Sequence, residues 1–154
     1  MMIRKFKKED LPQILELCRM VRQHHIDMLN GYFMPQNDEE EKLDFIESLQ
    51  NDKVVALVST DNNHINGYLL AKFKNLPHLV NSRVANIENF GVDTNERRKG
   101  IGKQLMDAFF ELCRQNNISE IRLKVFNQNT AARKFYEKYG FKSTEQKMTF
   151  NLDK

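Results

Sequence analysis

This chain is poor in the residues that interrupt, cross-link or anchor a polypeptide: its 154 positions include 3 prolines, 6 glycines and 2 cysteines. No repeat, low-complexity segment or linker divides it, and its length suits one domain that buries about two thirds of its unfolded surface. Cys18 and Cys113 each sit in an apolar helical pattern. They read as buried thiols in a reducing compartment rather than a disulfide framework or a metal site. No apolar run approaches membrane-spanning length, and Met1 to Asp10 turns charged at once, without the apolar stretch of a signal peptide. The expected location is the cytoplasm, with no membrane partner. Nor does one sign of charge dominate: 24 Lys and Arg stand against 21 Asp and Glu, a net charge of +3 spread along the chain. A nucleic-acid partner is therefore not expected.

What the sequence does hold is a succession of clear periodicities. Ile3 to Phe6 reads as a short strand, and Lys8 to Pro12 supplies acidic N-cap candidates with a proline early in a helix. Ile14, Leu15, Leu17, Cys18 and Val21 recur at helical spacing. Tyr32 to Asp38 breaks that pattern. Glu39-Glu40-Glu41 then reads as the solvated first turn of a second helix carrying Leu43, Phe45, Ile46 and Leu49. Val54 to Val58 and Tyr68 to Phe73, separated by Asp61 to His64 and an Asn66-Gly67 pair, suggest an antiparallel hairpin. Val84 to Val92 is the next strand, followed by a helix from about Gly102 to Asn116 with Leu105, Met106, Phe109, Leu112 and Cys113 on one side. Ile121 to Val125 alternates as a half-buried strand, Asn129 to Tyr139 is a short helix with Gly140 at C′, and Lys147 to Leu152 alternates as a closing strand. The prediction is a single α/β domain over residues 1–154: a mixed, mostly antiparallel sheet with a central parallel strand pair, flanked by helices. The crossover from Val92 to Ile121 sets that pair parallel and puts a glycine turn at a strand's carboxyl end, where α/β ligands bind.

That turn is Arg97-Arg98-Lys99-Gly100-Ile101-Gly102-Lys103. First-turn N–H groups of a helix have no intrahelical partners and carry the positive end of the dipole, so an anion belongs there. Two glycines admit a close phosphate, and four cationic side chains surround it. A glycine pair taken alone is equally a bland helix start. The P-loop pattern fails on spacing and because Gln104 stands where magnesium needs a hydroxyl; the dinucleotide fingerprint fails because Leu105 replaces its third glycine.

The remaining pattern, Arg97-x-x-Gly100-x-Gly102 after a strand and before an amphipathic helix, resembles the GNAT superfamily of N-acetyltransferases. A second match lies at Asn129-x-x-Ala132-x-x-Phe135-Tyr136-Glu137-x-x-Gly140-Phe141, and the order of elements over almost the whole chain also fits. The resemblance implies acetyl-coenzyme A as donor, with its pyrophosphate on residues 98–103 and pantetheine lying like an added strand beside Phe90-Gly91-Val92. Backbone groups of Phe90 and Val92 are then its partners, and the Val92 N–H is placed to polarise the thioester carbonyl. Asn129 is similar to a cofactor-contacting asparagine, and is equally an N-cap for its own helix.

Attack by an amine on a thioester needs the neutral amine, so a base must take a proton. Glu88 is the candidate, placed by strand alternation on the face of Phe90 and Val92; the alternative is a solvated carboxylate or a structural ion pair. Tyr136 resembles the superfamily tyrosine that protonates the departing thiolate, the alternative being a core aromatic beside Phe135 and Tyr139. The segment from His24 to Asn51, which includes Tyr32 and Phe33, flanks the acceptor pocket by resemblance and matches no further pattern. The expected activity is transfer of acetyl from acetyl-coenzyme A to a primary amine of a small molecule or peptide, without a metal. A coenzyme A-binding sensor or scaffold without turnover is the alternative. Homodimerisation is common in such proteins, and exposed strand edges would serve it.

Overall fold

A computed structural model describes residues 1–33 and 37–153, which fall into two compact units, Met1–Lys124 and Val125–Lys154. Met34, Pro35 and Gln36, part of the predicted break between the first two helices, lie outside the described residues. The first unit holds a five-stranded sheet in the order β1-β2-β3-β4-β5. Its strands are β1 (Met2–Lys5), β2 (Val54–Asp61), β3 (His64–Asn75), β4 (Arg83–Val92) and β5 (Glu120–Arg122), and its helices are α1 (Leu11–Met28), α2 (Glu39–Glu47) and α3 (Ile101–Gln115). Strands β1 to β4 pair antiparallel and β4 pairs parallel with β5. This is the expected mixed α/β sheet.

The β2–β3 connection is a two-residue turn at Asn62-Asn63, where φ is +49° and +65°. Asparagine tolerates that region because its short amide bonds locally, and two left-handed residues in a row match the twist of a hairpin. The Asn66-Gly67 pair therefore lies within β3, beside a bulge at Ser59/Thr60, and not in the turn.

Helix α1 presents Ile14, Leu17, Cys18 and Val21 to one sheet face, at the i, i+3, i+4, i+7 spacing that its sequence prescribes. They join Phe6, Phe45, Val58, Tyr68 and Leu70 in one core cluster. On the opposite face, α3 comes close to β3 because residue 67 is glycine: a Cβ there would stand 2.8 Å from Ile101 Cγ2 and 2.9 Å from Leu105 Cδ1. Ile101, Leu105, Met106, Phe109 and Cys113 form the buried stripe of α3, whereas Leu112 is half-buried.

Several expectations need correction. Of the apolar residues expected on α2, Phe45 alone is buried, while Leu43 and Leu49 are exposed. Nor is the start of α2 merely solvated, since Glu41 accepts from Arg22 at 2.6 Å and Asp38 from Arg19 and Arg22. Strand β5 ends at Arg122 rather than Val125, because its ladder with β4 stops at Asn86↔Arg122. Lys147 to Leu152 forms no strand, and Met148, Phe150 and Leu152 are 84–88% exposed. Alternation prepares a pleat, but a strand exists only as a ladder with a partner.

Asp10 precedes α1 without capping it by its side chain. Its carboxylate instead takes a bidentate pair from Arg4 of β1, at 2.7 and 2.9 Å, and the Lys7 N–H at 2.7 Å. Burial pushes this carboxyl up, but Arg4 and the Lys7 N–H more than offset that and hold it below its ordinary value. A depressed folded value means that the stabilisation is present above the unfolded carboxylate value, about 3.9, and lost as pH falls through the folded one. Asp10→Ala is expected to cost about 2–4 kcal/mol in urea denaturation at neutral pH, with the gap to wild type closing as the medium becomes strongly acidic.

Candidate functional site

Strand β4 is paired unequally on its two edges. Towards β3 its ladder runs from Asn75↔Arg83 to Gly67↔Val92, but towards β5 it covers only Val84 to Asn86. Among the described residues no strand pairs with the β5-side edge beyond Asn86, and an extended ligand can add to such an edge. Phe90, Gly91 and Val92 lie on that stretch.

The register along β4 changes just before them. Leu70 faces Asn89 while Ala71 faces Ile87, so Glu88 is the extra residue of a bulge. The bulge breaks the alternation that would group Glu88 with Phe90 and Val92. Asn89 now points to the α1 face, accepting from the Tyr68 hydroxyl at 2.8 Å. Glu88 itself is exposed, and its charge acts on Lys72. That ammonium, 3.1 Å from Asp44 of α2, is raised first by the Asp44 hydrogen bond and further by Glu88. Gly91 is fixed by packing: a Cβ would stand 2.6 Å from Val21 Cγ2 and 2.9 Å from the Tyr68 hydroxyl.

After β4 a single turn of tight helix (Thr94–Glu96), anchored by Asp93 accepting from the Asn95 N–H, leads into the basic turn. Arg98 has φ +67° and Gly100 φ +78°, so two left-handed residues direct this segment into α3. Gly100 is the N-cap, its carbonyl accepting from Gln104. The following N–H groups, of Ile101, Gly102 and Lys103, lie in the first turn of α3, where no intrahelical acceptor exists. Nothing stands within 4 Å of a Cβ built on Gly100. Arg97, Arg98 and Lys99 are exposed, and exposed Lys103 reaches Asp107 at 2.7 Å. The turn thus joins first-turn N–H groups, a dipole end and cationic side chains, the chemistry that holds a phosphate.

In the segment expected to flank an acceptor, Tyr32 and Phe33 meet edge to face with centroids 4.9 Å apart. His25, close to the end of α1, is half-buried; burial lowers its imidazole, and the charges of His24 and of Arg97 lower it further. Neither that coupling of α1 to the basic turn nor the Lys72–Asp44 pair carries a local sequence signal, because each joins residues distant in the chain.

In the second unit, α4 (Thr130–Lys138) is capped at both ends by residues of one motif. Asn129 accepts from the Ala132 N–H at 3.2 Å, which makes it the N-cap. At the other end Gly140 has φ +95°, its N–H donates to Glu137 O, and the Phe141 N–H reaches back to Tyr136 O. That is a Schellman motif, completed by a ring contact between Tyr136 and Phe141 at 5.7 Å. Phe135 holds the Tyr136 ring from another side at 5.6 Å. Burial pushes the Tyr136 phenol up to about 12.

A model of the acetyltransferase (GNAT) family matches residues 19–141. The uncharacterized N-acetyltransferase YycN of Bacillus subtilis (strain 168) is 38% identical over 66 residues, 43% of this chain and 42% of that protein. The matched stretch thus spans less than half of that relative. Among solved structures, a mutant of the BH1408 protein from Bacillus halodurans has a TM-score of 0.86 at 23% identity, covering 99% of each chain. The aminoglycoside N-acetyltransferase AAC(6')-Iy, crystallised with CoA, has a TM-score of 0.75 at 20% identity over 97% of this chain and 98% of that one. At these identities the likeness is one of fold.

The two cysteines stay outside this chemistry. Both are buried, and burial pushes each thiol up to about 12. A thiol in that range carries almost no thiolate at neutral pH. A chromogenic disulfide reagent at pH 7.5 should therefore leave Cys18 and Cys113 unmodified in the folded protein and titrate both in denaturant.

Proposed function

The chain belongs to the acetyltransferase (GNAT) family, and we propose that it moves an acetyl group from acetyl-coenzyme A to a primary amine of a small molecule or peptide by direct attack on the thioester. The observation that carries this reading is the β4 edge left open beyond Asn86, running straight into the Gly100-capped start of α3. An extended arm ending in a pyrophosphate needs a strand edge for the arm and an anion site for the phosphates, in that order along the chain. Acetyl-coenzyme A supplies an activated acyl group and a leaving sulfur.

The protein's part is to bind, orient and handle protons. The first-turn N–H groups from Ile101 to Lys103 and the side chains of Arg97, Arg98 and Lys99 hold the pyrophosphate, while Phe90 and Val92 pair with the arm through their backbones. Asn129 contributes to donor binding as well as capping α4. The Val92 N–H stabilises charge developing on the thioester oxygen. Glu88, set apart by the bulge and exposed, takes the proton from the acceptor ammonium directly or through water. Burial keeps the Tyr136 phenol protonated at neutral pH, and from there it donates to the departing sulfur. The acceptor enters past Tyr32 and Phe33.

Free thiol released from acetyl-coenzyme A across a panel of amines tests the reading. Release that depends on the amine is expected; tight donor binding with no amine-dependent release would instead indicate a coenzyme A-binding sensor. Glu88→Gln should lower kcat/KM by about 10²–10⁴-fold and remove the acidic limb of the pH-rate profile; an unchanged profile takes Glu88 out of the mechanism. Tyr136→Phe should lower kcat by about 10²-fold or more with donor affinity retained, and full turnover would exclude it as the acid.

A further inference from the structure

At the tip of the β2–β3 hairpin, His64 faces the tight helical turn that follows β4. Its Nε2 is 3.7 Å from Asp93 Oδ2 and 3.7 Å from Glu96 Oε1. Three candidate ligand atoms of these residues lie within 4.8 Å of one another. The separation of 3.7 Å is too long for a hydrogen bond. It is close to the gap bridged by a tetrahedral ion, since metal–nitrogen and metal–oxygen bonds near 2.1 Å set the two ligand atoms roughly 3.4 Å apart.

We propose that His64, Asp93 and Glu96 form a site for a divalent first-row transition ion of the Zn2+ type. Each carboxylate is already steered by its other oxygen. Asp93 Oδ1 accepts from the Asn95 N–H at 2.9 Å, and Glu96 Oε2 accepts from Asn66 Nδ2 at 3.1 Å. The oxygens left over, Oδ2 and Oε1, are the two nearest the imidazole. Ligands oriented by second partners in this way are characteristic of metal sites.

Asn66 supplies an independent observation. It is 1% exposed and sends its Nδ2 into the cluster, yet its Oδ1 is buried with no hydrogen-bond partner among the described residues. A buried oxygen without a hydrogen bond is destabilising. The Asn66 Nδ2 stays on Glu96 Oε2 and keeps Oε1 turned towards His64. One imidazole nitrogen with two carboxylate oxygens suits a four-coordinate borderline ion better than Mg2+ or Ca2+, which need six or more oxygens. Lys99, 4.0 Å from Glu96 Oε2 and exposed, is the cation that shares the cluster in its absence.

Bound there, the ion would tie the hairpin to the segment that feeds Arg97 and the start of α3. The backbone already joins the two, the Asp93 N–H donating to Asn66 O at 2.9 Å. No sequence motif signals this, because His64 lies far along the chain from Asp93-x-x-Glu96.

Calorimetric titration of chelator-treated full-length protein with Zn2+ tests the site, alongside Co2+ absorption and thermal melting. One ion per chain is expected, with visible Co2+ bands and a raised Tm. His64→Ala and Glu96→Gln should each weaken Zn2+ by roughly 100-fold or more and remove the Co2+ bands, with the metal-free circular dichroism retained; His64→Gln serves if the alanine variant does not fold. No saturable binding, or binding that survives His64 replacement and disappears only in a His24→Ala/His25→Ala variant, would overturn the proposal.

Discussion

The unequal pairing of β4 is the constraint on which the rest depends. A strand fully laddered to β3 is rigid, while only Val84 to Asn86 ladder to β5 on its other edge. Rigidity on one edge with vacancy on the other makes β4 a template. The crossover begins where β4 ends, and one tight helical turn and the basic turn, residues 93–100, lead from that edge to the N-terminus of α3. A closed parallel sheet would have had the helix terminus but no room for an arm to lie beside the strand.

Packing then fixes what the template presents. Gly67 lets Ile101 and Leu105 come down on β3, which sets the height of α3 and hence of its first turn. Gly91 does the same for α1 on the other face, beneath Val21 and Tyr68. Both glycines serve helices, holding α3 and α1 close to the sheet on its two faces. In the second unit the motif from Asn129 to Phe141 is first a pair of helix caps; the ring of Tyr136 is held because Phe141 follows a left-handed glycine.

Much of this was legible in the sequence because it is local. The stripe Ile14, Leu17, Cys18, Val21 foretold α1 and its buried face, and Gly100 ahead of an amphipathic run foretold the start of α3. The Asn129 cap and the Gly140 C′ position followed from residue type alone. What escaped is relational. The bulge at Glu88 is a count of residues against a partner strand, invisible along β4 itself. Glu41 looked solvated until Arg22 of α1 lay opposite it. Lys147 to Leu152 has the period of a strand, but a period does not supply a neighbour.

The sheet's order has a kinetic meaning as well. Every ladder joins strands consecutive in the chain, so no pairing must wait for a later strand to thread between two earlier ones. Closing β2 on β3 across Asn62-Asn63 orders very little loop, whereas β1 with β2 and β4 with β5 each enclose helices and carry a larger loop-closure cost. The hairpin is therefore the natural seed for the sheet, with β4 the cheapest strand to add. The basic turn takes its final place late on such a route, once α3 has settled over Gly67.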